Sequence, residues 1–391
     1  MSNRSPSGRF SAWLLLAPLF GFMLLFFVGP LVTMVSQAVS DPIASRILPL
    51  TARASVKWTS GSPPSAAMKS ALAADLKNAG DAQEVGDLVR RLNSAKPGFR
   101  TLMSKTLAAV RKGAPDDLAS VDPRWDDTQF WQVIVDALSP MTDRYLLAAV
   151  DLARDNSGTI VEVPSDQSAN RAILLRTFWI AGIVTFFAAL IGLPYAMVIA
   201  STSGGVRTLL LGAVLLPLWT SLLVRTAAWF ILLQDQGLIN DTLRTLGVID
   251  QSLPLLFNRT GVVIAITHVL LPFMVLPIYS VLIAIPRNLM PAAASLGAPP
   301  IRAFLWVLLP LSLRGIASGS LLVFMSAIGY YITPALIGGP GDQMISSVIA
   351  FYAMGSANWG MAAALGIALF GITILLYAVY GRLSAEDGKS R

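Results

Sequence analysis

Two short signatures lie between strongly apolar stretches: PAAASLG at residues 291–297 and VLLP at residues 307–310. The small residues of the first signature predict a short helix that can pack closely against another surface. Gly297 follows that helix, and glycine tolerates the left-handed conformation that turns a chain towards the next helix. Pro291 suits the first helical turn, where a backbone N–H has no helical acceptor. The charged residues of this segment are both positive: Arg287 and Arg302.

The composition is that of a membrane protein. Apolar residues make up 54% of the 391 residues and charged residues 13%, and the mean hydropathy is +0.64. A water-soluble domain of this length rarely has such a balance. The chain has no cysteine and one histidine, which excludes thiolate metal sites and argues against a histidine-built metal centre. The composition therefore predicts an all-α, polytopic membrane protein without a metal site.

Six stretches are long enough to be transmembrane helices, which need about 20 apolar residues. A signal peptide is the alternative for the first stretch, because Arg4 and Arg9 precede it and residues 36–38 resemble a cleavage site. The uncharged run exceeds the roughly 7 to 15 residues of a signal-peptide core, which favours an uncleaved anchor. The predicted spans are residues 10–38, 173–200, 207–233, 260–286, 311–337 and 359–381.

Lysine and arginine are distributed unevenly among the predicted loops. Residues 41–171 contain 16 acidic and 16 basic side chains, so the net charge of +7 comes from the rest of the chain. Cytoplasmic loops are enriched in Lys and Arg, which predicts both termini and residues 287–310 in the cytoplasm and explains the positive charge without a nucleic-acid partner. The cytoplasmic assignment rests on Arg4, Arg9, Arg207, Arg287, Arg302, Arg314, Arg382, Lys389 and Arg391, against Glu386 and Asp387.

Residues 41–171 are predicted to form a helical extracytoplasmic insert between the first and second spans. The apolar positions are sparse, which predicts a small core that leans on the membrane domain or on a partner. The insert is either a docking surface for a periplasmic binding protein or a passive insertion. Helical spacing occurs at 66–79, 82–93, 98–112, 126–138 and 141–155, with a linker at 51–64. Asp81 and Asp126 are predicted caps, and Gly80, Gly113 and Gly158 are predicted stops.

The spacing of the two signatures resembles the EAA loop of importer-type ABC permeases, which receives force from an ATPase. Other stretches are similar to spermidine/putrescine-type permeases: LPLWTSLLVRT at 216–226, GLIN at 237–240, LPFMVLP at 271–277, YYITPALIGGP at 330–340 and NWG at 358–360. The resemblance covers residues 172–382, and it departs from the family at Pro291, where the family has Glu. It implies that the ATPase-coupling residues are Pro291, Ala292, Ala293, Gly297, Val307, Leu309 and Pro310.

This resemblance implies the fold of a type I ABC importer permease with six transmembrane helices. Its implied partners are a second homologous permease, two ATPase subunits, a periplasmic solute-binding protein and the bilayer of the bacterial inner membrane. ATP and Mg would be bound by the ATPase, and no cofactor by this chain. The predicted domains are an N-terminus with helix 1 at residues 1–40, the insert at 41–171, the permease core at 172–382 with its coupling loop at 287–310, and a tail at 383–391.

Arg225 lies inside an apolar stretch, where a charge is costly unless it meets water, a partner or the interface. It therefore either faces the translocation pathway, or reaches the interface, or pairs with Asp235. Aromatic side chains offer faces to an amine through cation–π attraction, although such residues also form interfacial belts. The aromatic pathway candidates are Trp219, Trp229, Tyr330 and Tyr331, whereas His268 is predicted to be a packing residue.

Two other classes of protein remain as alternatives. A secondary transporter driven by an ion gradient would require intramembrane acidic residues and often an internal repeat, and neither is evident in the sequence. A membrane-anchored sensor would explain the insert but not the EAA-like loop. The preferred function is therefore an ATP-driven importer of polyamines or of a related small amine or opine-like solute, with no enzymatic activity in this chain.

Overall fold

The computed structural model describes residues 16–113, 117–155, 158–164, 166 and 168–389, and side chains up to residue 378. Its chain divides into two compact units: residues up to Leu147 with Trp359–Ala364, and Ala148–Asn358 with the residues from Leu365 onward. Several residues used in the charge argument lie outside the described backbone or side chains: Arg4, Arg9, Arg382, Glu386, Asp387, Lys389 and Arg391.

The described chain is almost wholly helical, as the sequence predicts. Its helices up to residue 149 are α1 (Leu16–Val39), α2 (Ile43–Ile47), α3 (Pro49–Ser55), α4 (Ala66–Asn78), α5 (Ala82–Ala95), α6 (Phe99–Lys112), α7 (Thr128–Leu138) and α8 (Arg144–Ala149). Single 3₁₀ turns lie at Leu118–Ser120 and Pro123–Asp126. Strands β1 (Leu152–Arg154) and β2 (Ile160–Glu162) pair antiparallel.

The remaining helices include most of the long apolar ones. They are α9 (Asn170–Ser201), α10 (Gly204–Trp219), α11 (Leu222–Leu232), α12 (Leu238–Thr245), α13 (Arg259–Ala284), α14 (Leu289–Ser295), α15 (Pro300–Gly329), α16 (Ile332–Ile337), α17 (Ile345–Gly355) and α18 (Trp359–Lys389). Among the described residues, five helices are long and apolar enough to cross a membrane, and α10 with α11 adds a sixth if they form one bent span.

The insert has a larger core than its sparse apolar pattern predicts. Trp125 and Trp131 are fully buried, with ring centroids 5.6 Å apart. Their indole N–H groups donate to Thr106 Oγ1 at 2.9 Å and to the Trp125 carbonyl at 2.8 Å. Large aromatic side chains bury far more area than Ala or Val, and Trp125 comes from a short turn where helical periodicity gives no signal. The prediction of a small core was therefore wrong.

Three local predictions for the insert were also wrong. Residues 51–55 belong to α3 rather than to a linker, because the buried Asp75 accepts from Thr51 N and Thr51 Oγ1, both at 2.7 Å. Asp127, not Asp126, caps α7 by accepting from Gln129 N. The predicted helix at 141–155 ends at Ala149 and gives way to the β1–β2 hairpin, in which Gly158 forms a turn with φ +81°.

In the first unit, the insert contacts the end of helix α1 and the start of helix α18. Asp41, just after α1, is 5% exposed and accepts from the Arg91 guanidinium and from Tyr145 Oη at 3.0 Å. Gly360, at the start of α18, lies so close to Tyr145 that a Cβ there would meet its ring at 2.4 Å. The ends of α1 and α18 are thus packed on the insert.

Helices α9, α13 and α15 contact one another and form the core of the second unit. Their axes approach closely because glycines lie where they meet: a Cβ on Gly192 would be 2.8 Å from Met274 Cγ, and one on Gly315 would be 2.9 Å from Ile278 Cα. Small residues are the usual means of close helix approach in membranes. The centre of the predicted permease core is therefore a bundle of three closely packed helices.

Two predicted spans differ from the structure. The span predicted at 207–233 is divided between α10 and α11, which meet at an angle of 102°. Ser221 caps α11 by accepting from Val224 N at 3.2 Å, which stabilises a new helix start after the break. The span predicted at 311–337 begins 11 residues earlier, at Pro300, and ends at Gly329. Proline at the first helical position explains the earlier start.

Candidate functional site

The first signature forms a helix and a turn, as predicted. Helix α14 places Pro291 in its first turn, and Gly297 follows the helix with φ +84°. The Gly297 N–H donates to the Ala294 carbonyl at 2.9 Å, and the Ala298 N–H donates to the Ala293 carbonyl at 3.1 Å. These two bonds are the Schellman arrangement, which satisfies carbonyls that a helix end leaves free. The predicted left-handed glycine is confirmed.

The outer surface of this segment is apolar and unusually exposed. Leu296, between α14 and Gly297, is 90% exposed, and Trp306 on α15 is 81% exposed. Ile301 is 73% exposed, and Ala292 is exposed on α14. Groups of exposed apolar side chains mark interaction surfaces in proteins, and these four residues lie close together in the sequence. We refer to Ala292, Leu296, Ile301 and Trp306 as the loop surface.

The second signature lies inside a helix, not in the loop before it. Pro310 has no N–H to donate to the carbonyl of Trp306, and its ring crowds that carbonyl. Helix α15 passes this point through a π-helical turn at Phe304–Leu308, in which Leu309 N–H bonds to the Phe304 carbonyl five residues earlier. Val307 lies within this turn, and Leu309 and Pro310 follow it. The predicted boundary at residue 310 was therefore wrong.

Arg225 stabilises the break between α10 and α11. Its Nη2 donates to the Thr220 carbonyl at 2.7 Å, and its Nε donates to Thr220 Oγ1 at 3.3 Å. Thr220 has an extended conformation after the last turn of α10, so the carbonyls there lack helical partners. Arg225 thus contacts the helix end behind it rather than Asp235, the ion-pair partner considered in the sequence analysis.

The structure brings some of the pathway candidates together and adds others. Trp229 Nε1 donates to His268 Nδ1 at 3.2 Å, and the two rings meet edge to face with centroids 5.3 Å apart. Arg225 lies within electrostatic reach of both His268 and Tyr330. We call the group of Arg225, Trp229, His268 and Tyr330 the polar cluster.

Two candidates lie apart from these interactions. Trp219 is 80% exposed at the end of α10, and Tyr331 is 38% exposed. Sequence reasoning missed a buried pair beside the break, in which Thr226 Oγ1 and Thr333 Oγ1 are 3.3 Å apart. The only signal for this pair was that both threonines lie in stretches that carry the family resemblance. His268 was discounted as a packing residue, although the Trp229 bond gives its ring a polar contact.

Comparison with known proteins gives a family match over the region that contains these features. Residues 174–386 match the family model of the binding-protein-dependent transport system inner membrane component. The match includes α14, the helix break and most of the three-helix core, but not the insert. The chain belongs to this family, and it is an ABC importer permease of the binding-protein-dependent kind.

Individual relatives show the same extent of similarity. The spermidine/putrescine transport system permease protein PotB of Escherichia coli is 35% identical over 212 residues, which cover 54% of this chain and 77% of PotB. The inner membrane ABC transporter permease protein YdcU of Escherichia coli is 35% identical over 231 residues, which cover 56% of this chain and 74% of YdcU. A chain in the crystal structure of a bacterial alginate ABC transporter with its periplasmic protein is also similar, with a TM-score of 0.46 and 18% identity. This similarity covers 55% of the present chain and 78% of the transporter chain.

Proposed function

We propose that this chain imports a polyamine, or a related small amine, as one permease of an ATP-driven complex. The complex would contain a second homologous permease, two ATPase subunits that bind ATP and Mg, and an external solute-binding protein. The similarity to PotB supports the polyamine class, because 35% identity extends over most of the relative. The observation that carries the proposal is the loop surface, a group of exposed apolar side chains on a segment that resembles a coupling loop.

In this proposal the loop surface faces the cytoplasm and binds the ATPase. The positive charges of Arg207, Arg287 and Arg302 favour the cytoplasmic side for the loops that carry them. Both termini would then be cytoplasmic and the insert at 41–171 would be extracytoplasmic. Leu296 would enter a cleft of the ATPase, while Ala292 and Ala293 allow the helix to approach closely.

Closure of the ATPases would move α14, and the motion would pass into α15. We assign coupling to residues of the helix, of the turn after it, and of the π-helical turn with the two residues that follow: Pro291, Ala292, Ala293, Gly297, Val307, Leu309 and Pro310. Transport then follows from a nucleotide-dependent shift between inward- and outward-facing states. Pro291 removes one carboxylate from the contact without removing the helix.

We assign the translocation pathway to the polar cluster, with Trp219 and Tyr331 as further lining residues. The faces of Trp229 and Tyr330 suit an amine through cation–π attraction. Arg225 is positive and held by Thr220, so it opposes a bare polycation and suits a carboxylate. The aromatic faces and the Arg225 charge together favour a second candidate substrate, an opine-like solute that carries both an amine and a carboxylate.

The test uses the complete importer reconstituted in liposomes, with uptake of labelled spermidine and ATP hydrolysis measured together. Gly297→Val should reduce binding-protein-stimulated hydrolysis and uptake by about 5- to 30-fold, because a left-handed conformation costs a non-glycine residue about 1–2 kcal/mol. An added Cβ at Gly297 meets no atom within 4 Å, so the effect comes from the backbone. Gly205→Val is the matched control, since Gly205 also has open space but no positive φ.

Unchanged hydrolysis and uptake in Gly297→Val would contradict the coupling assignment. Uptake that follows an ion gradient in the absence of ATP would contradict the importer proposal and favour a secondary transporter. Stimulation of ATP hydrolysis by a solute with both an amine and a carboxylate, together with no uptake of labelled spermidine, would assign the substrate to the opine-like class.

A further inference from the structure

The insert contains a groove lined by basic side chains. Three helices of the first unit, α4, α5 and α6, surround a cavity of about 670 Å³. Four cationic residues line this cavity: Lys77, Arg90, Arg100 and Arg111. All four are exposed, although residues 41–171 as a whole have equal numbers of acidic and basic side chains. We call this cavity the basic groove.

Most of this positive charge is not neutralised within the insert. Arg90 pairs with Asp87 on the same helix. In the part of the chain that the structure describes, no carboxylate pairs with Lys77, Arg100 or Arg111. Charges left without partners on one surface create a field that attracts a partner of opposite sign. The basic groove therefore has charge available for an acidic ligand.

The neighbouring hollow shows the opposite arrangement. Its volume is about 430 Å³, and its carboxylates are Asp75, Asp81 and Glu84. Asp75 accepts from Thr51 N at 2.7 Å, Asp81 caps α5 by accepting from Gln83 N at 2.7 Å, and Glu84 pairs with Arg46 at 3.5 Å. These three carboxylates line the neighbouring hollow and not the basic groove, although the two hollows share Ala79, Gly80 and Val85. The lining of the basic groove itself therefore contains cationic and no acidic side chains.

The floor of the basic groove is apolar. Leu76 and Val110 are 4% and 2% exposed, and the partly buried Val89 and Leu107 also line the groove. Gly86 keeps the floor open, because nothing lies within 4 Å of a Cβ at that position. An apolar floor with charges around it suits an amphipathic protein segment better than a small hydrated anion, which gains nothing from apolar contact.

We propose that the basic groove docks an acidic, amphipathic segment of the solute-binding protein, one that presents carboxylates around an apolar side chain. This inference rests on the proposed function, which places the insert on the side where the binding protein arrives. The insert lies outside residues 174–386, which match the family model, so the groove adds a contact to those of the family's shared core. Its charges accelerate encounter and orient the binding protein on the importer.

The test compares two triple variants of the complete importer in nanodiscs, with binding-protein-stimulated ATP hydrolysis as the readout. The groove variant carries Lys77→Glu, Arg100→Glu and Arg111→Glu. The control variant carries Arg53→Glu, Lys57→Glu and Lys112→Glu, which change the same charge at exposed positions that do not line the groove. A neutral groove variant with glutamine at the same three positions guards against misfolding, and the circular dichroism of each variant is compared with wild type.

The groove variant should raise the half-stimulating concentration of binding protein at least about tenfold at low salt, with unchanged basal hydrolysis, because three surface charge contacts are lost and reversed. The neutral variant should give a smaller rise, the control variant none, and the difference should shrink at high salt. Equal effects of groove and control variants, or no effect of either, would overturn the proposal.

The failure of this inference is distinguishable from failure of the proposed function. If the wild-type importer hydrolyses ATP but does not respond to the binding protein, the proposed function fails. If wild type responds and the groove variant responds equally, only the docking inference fails. A response that depends on the groove charges only in nanodiscs made with anionic lipid would identify a lipid as the occupant and would also overturn the inference.

Discussion

Arg225 shows how one polar contact makes a charged side chain compatible with an apolar segment. Its guanidinium donates to the Thr220 carbonyl and hydroxyl at the break between α10 and α11. A carbonyl left free at a helix end and a guanidinium in an apolar stretch are each costly alone. Together they stabilise the 102° bend. Arg225 therefore maintains the shape of the polar cluster as well as its charge.

Asp122 gives the insert a testable dependence on pH. The Arg124 guanidinium donates to both carboxylate oxygens at 2.9 Å, and Lys105 Nζ donates at 3.0 Å, so the pKa of Asp122 lies well below its usual range. A lowered folded-state pKa contributes stability that is complete above the unfolded pKa of about 4. This stability is lost progressively as the pH falls from that value through the lower folded-state pKa.

We therefore expect Asp122→Asn to lower the thermal midpoint of the purified full chain at pH 7 and to lower it by a smaller amount at pH 3. The measurement is thermal unfolding in detergent at both pH values. Asp87→Asn is the control, because Asp87 forms an exposed pair with Arg90 on one helix, and such pairs contribute little. An equal loss for Asp122→Asn at both pH values would show that the carboxylate charge is not the cause.

The sequence correctly predicted individual residues whose role depends only on the neighbouring residues, such as helix caps and left-handed glycines. Gly297 at a helix end and Asp81 before a helix have conformations and hydrogen bonds that follow from their nearest neighbours. The Arg225–Thr220 contact depends on a helix break that the apolar pattern does not reveal. The Thr226–Thr333 pair joins residues 107 positions apart, and sequence alone provides no distance between them.

At the scale of elements, α13 and α15 approach each other through glycine. A Cβ on Gly319 would lie 2.8 Å from Met274 Sδ and 3.0 Å from the Met274 carbonyl oxygen. The methionine side chain can move, but the backbone oxygen cannot move without displacing the helix. The close approach therefore limits the volume of residue 319 to that of glycine.

Gly319→Ala should reduce the thermal midpoint of the chain, with a cost of about 1–3 kcal/mol from overpacking. Gly182→Ala is the matched control on α9, where nothing lies within 4 Å of the added Cβ. The control should be neutral or slightly stabilising, since alanine is favoured over glycine in a helix by roughly 0.5–1 kcal/mol. Equal midpoints for the two variants would contradict the close contact between α13 and α15.

The start of α15 shows why the predicted helix boundary was wrong. Pro310 was treated as the end of a loop, because proline usually interrupts a helix. Helix α15 instead contains a π-helical turn, with hydrogen bonds between residues five apart, just before Pro310. Helix α1 has the same arrangement before Pro30, where the Gly29 N–H donates to the Leu24 carbonyl. Single residues predict the strain at proline but not whether a π-helical turn accommodates it.

At the scale of the whole molecule, sequence predicted the class more reliably than the details. Hydropathy located four of the six predicted spans close to observed helices, and the spacing of the loop signatures indicated the family that residues 174–386 match. The insert was less predictable. Its core depends on Trp125 and Trp131, which pack through a turn rather than through a periodic helix face.

In the proposed importer the loop surface binds the ATPase, and cross-linking from this surface would detect that contact. The chain has no cysteine, so Leu296→Cys creates a single reactive thiol at a position that is 90% exposed. Leu246→Cys is the control, because Leu246 is 70% exposed and lies in a loop that the proposed orientation places on the extracytoplasmic side of the membrane. Each variant is assembled into the complete importer and labelled with a thiol-directed photo-cross-linker.

Leu296→Cys should form an adduct with the ATPase, with a yield that changes on addition of ATP, whereas Leu246→Cys should form no such adduct. An ATPase adduct from Leu246→Cys, or none from Leu296→Cys in a complex that still hydrolyses ATP, would contradict binding of the ATPase at the loop surface.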